Sequence, residues 1–185
     1  MQTLFINSGL TLFLAVSGSA WADALQLTSN DIAHEEFMSK AQEFQGFGCS
    51  GENLSPQLSW NEAPEGTEAF AIQVYDPDAP TGSGWWHWQL VNIPKEVTEL
   101  ATGAGDLSKE LIPTGSMNIK NDYGEPGFGG ACPPVGHGPH RYQFTVHALS
   151  QKLDLPDDAS GALTSYMVRA NSLSSSTIEA LYKRD

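Results

Sequence analysis

Two acidic residues stand in a proline-rich turn directly after an apolar stretch of strand-forming residues. The turn reads Asp76-Pro77-Asp78-Ala79-Pro80, and its two prolines fix the backbone. The side chains of Asp76 and Asp78, two positions apart, either point to the same side of the turn or are directed apart by it. Asp76 could orient a histidine and favour its charged form, or attract an ammonium group. The simpler alternative is a turn with solvated acids.

Histidines supply the other acid–base groups. His87 lies among tryptophans, where a single histidine is usually a packed core residue. Strict alternation along a strand would put Trp86 and Trp88 on the face opposite His87. His137 and His140 close a Gly- and Pro-rich loop whose backbone N–H groups could surround an anion. No recognised ligand spacing supports a three-histidine zinc site with His87, so no metal and no cofactor is expected.

Several common enzyme motifs are absent from the sequence. The chain has no G-x-S-x-G elbow, no phosphate-binding P-loop and no H-E-x-x-H pair. A hydrolase that uses His87 or His140 as general base is the alternative, since catalytic triads are defined by geometry. No nucleophile can be identified beside either histidine, so catalytic residues are not assigned and an enzyme is not expected.

Strand patterns dominate the chain that must position these residues. Apolar and β-branched runs predict strands over 69–75, 86–93 and 140–149, with Pro94 ending the second. Shorter strands are predicted over 25–29, 57–60 and 177–182. The segments 45–56, 95–117 and 118–139 are predicted loops. One helix is predicted over 161–170, capped by Asp157 or Ser160.

Composition and charge set the class of protein. The 185 residues suit a single domain, and 18 Gly with 11 Pro favour a mainly β fold with many turns. A net charge of −13 argues against nucleic acid, which needs clustered Lys and Arg, and against anionic membrane surfaces. It does not exclude an anionic small ligand, because a pocket can differ from the average surface.

The N-terminus resembles a targeting segment. Residues 10–16 are apolar, and Ala20-Trp21-Ala22 fits the small-x-small cleavage rule. A signal peptide over 1–22 is therefore predicted, leaving one mature domain over 23–185; an apolar N-terminal strand or anchor is the alternative. No later run is long enough to span a bilayer, so no stable membrane insertion is expected.

Cys49 and Cys132 are the only two cysteines of the chain. In an exported protein they favour a disulfide, which could stabilise the fold by roughly 4–5 kcal/mol in the chain-entropy model. Two buried free thiols or a metal pair are the alternatives, and the absence of a Cys-x-x-Cys spacing argues against the metal.

Four motifs in order resemble the phosphatidylethanolamine-binding protein (PEBP) family. They are the segments 51–60 (GENLSPQLSW), 76–80 (DPDAP), 87–88 (HW) and 138–142 (GPHRY). Each is weak alone, but the ordered set is specific and covers nearly the whole mature chain. The spacing is most similar to the bacterial branch known as Raf-kinase-inhibitor-like.

The resemblance implies a two-sheet antiparallel β-sandwich with Greek-key connections and one or two peripheral helices. It implies an anion pocket at one end, for phosphate or a phosphorylated head group. Carried over residue by residue, the ligand-binding positions are Asp76, His87, Pro133, His140 and Tyr142. The pocket-shaping positions are Asp78, Pro80, Trp86 and Pro134.

The expected function is that of a periplasmic binding protein for a phosphorylated or anionic small ligand. An inhibitory or modulating effect on a protein partner, and homodimerisation, are expected from the resemblance alone. Kinase inhibition does not transfer, because an exported protein would not meet a cytosolic kinase of its own cell. A secreted effector that acts through its surface is a further alternative.

Overall fold

The computed structural model describes residues 24–61 and 63–185. The predicted signal peptide over 1–22 and its cleavage junction lie outside these residues. Ten strands, one α-helix and two short 3-10 helices, Lys40–Gln42 and Leu107–Lys109, make up the regular structure of these residues. In chain order the strands are β1 (Gln26–Thr28), β2 (Gln45–Gly46), β3 (Cys49–Ser50), β4 (Leu58–Asn61), β5 (Ala69–Asp76), β6 (Trp85–Pro94), β7 (Glu99–Leu100), β8 (Met117–Ile119), β9 (His140–Leu149) and β10 (Ser172–Tyr182), and helix α1 is Gly161–Asn171.

Two antiparallel sheets face each other. The larger has the order β10-β9-β5-β6-β8 and the smaller the order β1-β4-β7, with β2 and β3 forming a separate hairpin. Within the larger sheet, β9 returns after a long connection to lie beside β5, which gives the Greek-key order β9-β5-β6-β8. The predicted fold class is confirmed.

The core fills the space between the sheets. Alternate residues of β5 and β9, including Phe70, Ile72, Phe144 and Val146, pack against Trp60 of the smaller sheet. All five are at most 4% exposed. β5 and β6 are buried along most of their length on both faces, so their richness in strand-forming residues, rather than an alternation of burial, made these runs predictable as strands.

Helix α1 packs on the outer face of the larger sheet. Ser160 is its N-cap, and the Ser160 side chain accepts a hydrogen bond from the backbone N–H of Leu163. Val168 contributes to a second apolar cluster with Ala71, Val91 and Leu149. The helix therefore covers one part of that face and leaves the rest of it open.

Some predicted boundaries were wrong. β10 begins at Ser172 rather than 177, and the predicted loop 45–56 contains the β2–β3 hairpin. The hairpin turn, Phe47-Gly48, has φ of 52° and 81°, which a two-residue turn between twisted strands requires. The predicted loops 95–117 and 118–139 contain β7 and β8.

Candidate functional site

Three adjacent strands of the larger sheet have their ends at the same end of the sandwich, and a pocket lies there. Asp76 ends β5, Trp85 begins β6 and pairs with Asp76, and His140 begins β9. Loops and the β2–β3 hairpin complete the wall of a cavity of about 160 Å³. We call this cavity the end pocket; its lining residues are Phe47, Asp76, Ala79, Pro80, Thr81, Trp85, His87, Tyr123, Cys132, Pro133, Pro134, His140 and Tyr142.

A β-bulge in β6 turns His87 into the pocket. Trp86 pairs with Tyr75 and Trp88 pairs with Val74, so no residue of β5 lies opposite His87. His87 lines the end pocket, while Trp88 belongs to the core between the sheets. The predicted alternation was therefore wrong for Trp88. The bulge places His87 and Trp88 on the same side of the sheet, and only Trp86 lies on the other.

The two acids of the turn have separate partners. Asp76 Oδ2 accepts a hydrogen bond from His140 Nδ1 at 2.7 Å, and both side chains are at most 4% exposed. Asp78 binds the Arg141 guanidinium with both oxygens, at 2.8 and 2.9 Å. This hydrogen bond from Arg141 lowers the pKa of Asp78. The turn thus splits the pair, with Asp76 inside the pocket and Asp78 fastening the turn to β9.

His137 extends the Asp76–His140 pair. His137 Nδ1 lies 2.7 Å from His140 Nε2, so both ring nitrogens of His140 have protein partners. His137 itself is exposed. His140 can offer Nε2 to a ligand only if His137 moves away.

The protonation state of His87 follows from its surroundings. Burial lowers the pKa of His87, and the Gly129 carbonyl and Asp76 oppose that effect only in part, so the ring is neutral at pH 7. His87 Nδ1 lies 2.7 Å from the Gly129 carbonyl oxygen, which can only accept. The single ring proton is therefore on Nδ1, and Nε2 is a bare acceptor.

Two buried donors at the pocket have no partner. The Tyr142 hydroxyl and the Trp85 indole Nε1–H are both inaccessible and make no hydrogen bond to residues 24–61 or 63–185. Burial raises the pKa of Tyr142, so its hydroxyl keeps its proton and remains a donor. Unsatisfied buried donors are rare in native proteins and require an explanation such as a bound ligand or water.

The predicted disulfide ties the rim together. Cys49 and Cys132 are bonded, with their Cα atoms 6.0 Å apart, which confirms the predicted pairing. Arg184 adds a second connection: its guanidinium donates to the carbonyl oxygens of Gly48 and Pro133, at 2.7 and 3.4 Å. The hairpin and the loop after Gly130 are held to each other by both links.

Most predicted site residues meet at this pocket. Asp76, Pro80 and His87 line it with Pro133, Pro134, His140 and Tyr142. Trp86 is a correction: its ring packs on Tyr75 on the opposite face of the sheet, because the bulge separates it from His87.

Several lining residues were missed. Trp85 is one of the tryptophans around His87 for which the sequence predicts no role, yet its pairing with Asp76 puts it on the pocket side. Tyr123 lies in the Gly- and Pro-rich loop, where no periodicity indicates which way a side chain points. Phe47 reaches the pocket from the hairpin turn.

The described part of the chain lacks two further kinds of feature. Between residues 24 and 185, Glu62 excepted, no group of three or more His, Cys, Asp or Glu side chains is arranged to hold a metal ion. In the same residues, no helix has the length and apolar character needed to cross a membrane.

Comparisons with known proteins agree with this fold. The family model described as phosphatidylethanolamine-binding protein matches residues 28–183. The UPF0098 protein YbcL of Escherichia coli (strain K12) is 48% identical over 184 residues, which is 99% of each chain. Lipoprotein LppC of Mycobacterium tuberculosis (strain H37Rv) is 38% identical over 115 residues, which is 62% of this chain and 53% of LppC.

A solved structure is similar over the whole described domain. The crystal structure of E. coli YbcL, described as a member of the mammalian PEBP family, has a TM-score of 0.85 and 49% identity. The match covers 88% of this chain and 100% of that one. The family model and these relatives together show that the chain belongs to the phosphatidylethanolamine-binding protein family.

Proposed function

We propose that this protein binds a phosphorylated small molecule in the end pocket. The observation that carries the proposal is the pair of buried, unpartnered donors, Tyr142 O–H and Trp85 Nε1–H, at one cavity. Phosphate oxygens would accept from both donors once small side-chain movements bring the Tyr142 hydroxyl and the Trp85 Nε1–H to the surface of the cavity. A cavity of about 160 Å³ is smaller than the roughly 300–1,000 Å³ of a drug-sized site, so it suits a head group rather than a whole lipid.

The pocket favours a particular ionic form of phosphate. His87 Nε2 is a bare acceptor, so the ligand must also donate a hydrogen bond there. The buried Asp76 carboxylate disfavours a doubly negative ligand. A phosphomonoester monoanion meets both requirements, because its P–OH can donate to His87 while its other oxygens accept from Tyr142 and Trp85.

Binding of phosphoethanolamine should therefore strengthen as the pH falls. The second pKa of a phosphomonoester is about 6, so the monoanion fraction rises roughly twentyfold between about pH 7.5 and about pH 5.5. The pKa of His87 is below its usual value, so its neutral acceptor is retained longer as acid is added. We expect the association constant measured by calorimetry to rise by about the same factor. Affinity that is constant or falls on acidification would contradict the proposal.

A diester is the matched control for this titration. Glycerophosphoethanolamine carries one fixed negative charge and no P–OH, so its binding should be weak and nearly independent of pH over this range. Inorganic phosphate and ethanolamine, titrated separately, show which half of the ligand is bound.

Replacing Tyr142 by Phe should weaken binding without destabilising the protein. Tyr142→Phe deletes a buried hydroxyl that has no partner, so the free energy of unfolding should stay constant or rise by about 1 kcal/mol. The same change removes a donor to a charged oxygen and should weaken phosphoethanolamine binding about tenfold or more. Thermal unfolding and calorimetry measure the two effects.

Tyr182→Phe is the control variant. The Tyr182 hydroxyl donates to Glu43, which itself accepts from the Ser50 backbone N–H. Its removal should cost about 1–2 kcal/mol of stability and leave ligand affinity unchanged. If Tyr142→Phe bound phosphoethanolamine as tightly as the wild type, the Tyr142 donor would not belong to the ligand site.

Release of inorganic phosphate distinguishes a hydrolase from a binding protein. Thr81 is the hydroxyl-bearing aliphatic side chain among the lining residues, and its hydroxyl donates to the Gly84 carbonyl. His140 has both nitrogens engaged, and the lowered pKa of His87 makes it a weak base. We expect no release of inorganic phosphate from phosphoethanolamine; steady release would make the protein an enzyme.

Export to the periplasm is part of the proposal. It is supported by the targeting pattern over 1–22, by the Cys49–Cys132 disulfide and by the lipoprotein relative. Intact-mass analysis of the protein from a periplasmic extract should give a chain that begins at Asp23. A protein partner that the bound form inhibits or modulates is a further part of the same proposal.

A further inference from the structure

A second concave site lies on the opposite face of the larger sheet from the end pocket. Helix α1 covers part of that face, and the uncovered part forms a groove of about 520 Å³. We call it the outer groove. The lining residues used below are Gln73, Trp86, Gln143, Thr145, His147 and Arg169.

Buried polar side chains form the floor of the outer groove. Gln73 and His147 are only 4% and 7% exposed. The Gln73 amide nitrogen donates to Gln89 at 2.7 Å, while its carbonyl oxygen has no partner among residues 24–61 and 63–185. A merely solvated sheet face carries exposed polar side chains rather than buried ones.

His147 presents a neutral acceptor. Burial lowers the pKa of His147 to about 4, with a further contribution from Arg169, so the ring is uncharged at neutral pH. The Ser172 hydroxyl donates to the Ser174 carbonyl and so accepts from His147 Nδ1–H at 3.3 Å. The His147 Nε2 atom is left unprotonated and makes no hydrogen bond within the described chain.

The rim adds a cation and an aromatic wall. Arg169 is exposed and has neither a carboxylate nor another hydrogen-bond acceptor for its guanidinium among the described residues. No Asp or Glu lines the outer groove, although the chain has 22 of them. Trp86 is half-buried, with its ring centroid 4.5 Å from that of Tyr75.

This arrangement has the chemistry of a sugar site. Amides, the Thr145–Thr177 hydroxyl pair and a neutral imidazole together offer mixed donors and acceptors, which match hydroxyl groups that both donate and accept. An aromatic ring can cover the apolar C–H face of a pyranose. An unpaired guanidinium can bind a carboxylate with two parallel hydrogen bonds.

We propose that the outer groove binds an acidic sugar, with the ring on Trp86, the hydroxyls on the Gln and Thr side chains and the carboxylate on Arg169. Its position on the other face of the sheet makes the site independent of the end pocket.

The test is a two-dimensional NMR titration of the mature, oxidised protein with glucuronate, galacturonate and N-acetylneuraminate. At least one should give saturable shifts of the Trp86 indole N–H and the Gln73 and Gln143 side-chain amides. Glucose, which lacks the carboxylate, should bind about tenfold more weakly. Absence of saturable shifts with all three acids at millimolar concentration would overturn the proposal.

A pair of variants checks the role of the guanidinium. Arg169→Gln should weaken binding of the acidic sugar about tenfold, while Lys152→Gln makes the same charge change at an exposed site outside the groove and should have no effect. Both variants should bind phosphoethanolamine like the wild type. Equal binding of the acidic sugar by Arg169→Gln and the wild type, or equal weakening by both variants, would refute the proposal.

Discussion

The double substitution Cys49→Ala and Cys132→Ala is expected to lower the free energy of unfolding by about 4 kcal/mol. The disulfide closes a loop with a sequence separation of 83, and removal of so long a crosslink frees the unfolded chain. The chain-entropy model gives roughly 4–5 kcal/mol for loops of this size. For a domain of this length, the midpoint of thermal unfolding should fall by roughly 8–16 °C.

Two comparisons identify the disulfide as the cause. Wild-type protein in a strong reductant should unfold at the temperature of the double variant, and the reductant should not affect the variant further. Because Arg184 still connects the hairpin to the loop after Gly130, the variant should fold. It should bind phosphoethanolamine more weakly, because the rim of the end pocket has lost its covalent link. A change in unfolding free energy below about 1 kcal/mol would mean that strain or denatured-state structure cancels the effect.

Asp76→Ala should destabilise the domain by about 3–5 kcal/mol, the usual cost of removing one partner of a buried pair. The change strands the His140 Nδ1–H, whose side chain is 2% exposed. It also removes the acceptor of the Asp78 backbone N–H, which lies 2.8 Å from Asp76 Oδ1. Denaturant unfolding measures the loss.

The neighbouring acid provides the control. Asp78 and Arg141 are 29% and 48% exposed, so water and salt screen this pair and Asp78→Ala should cost about 1 kcal/mol or less. Asp76→Asn keeps an acceptor of the same shape and should fall between the two. Equal losses for Asp76→Ala and Asp78→Ala would show that burial does not distinguish these carboxylates.

The sequence predicted the strands that are richest in apolar, aromatic and β-branched residues. β5, β6 and β9 were expected to within a residue or two, because such runs of eight to ten residues between turn segments are typical of buried strands. β10 was predicted too short, since Ser172 to Ser176 are poor strand formers and become extended only by pairing along β9. The short strands β7 and β8 carry no periodic signal of their own.

The site was predicted through its motifs but not through its geometry. The turn and the two histidines were found, while the bulge that separates Trp86 from His87 is a property of the register between β5 and β6. Likewise, the unpaired Tyr142 hydroxyl depends on which side chains surround it in three dimensions. Neither feature leaves a local trace in the sequence.

The register of the central sheet also determines the order in which the molecule can assemble. β5 pairs with β9 from Ala69–Leu149 to Tyr75–Gln143, so its second neighbour is synthesised 68 to 80 residues later. Non-local pairing of this kind places folding in the millisecond-to-second range, since large loops must close before their contacts form. Under the export proposed above, slow folding would leave the chain unfolded while it crosses a translocation channel. Cys132 lies in the connection that leads into β9, so pairing of β9 with β5 would bring Cys132 towards Cys49 and favour formation of the disulfide at that stage.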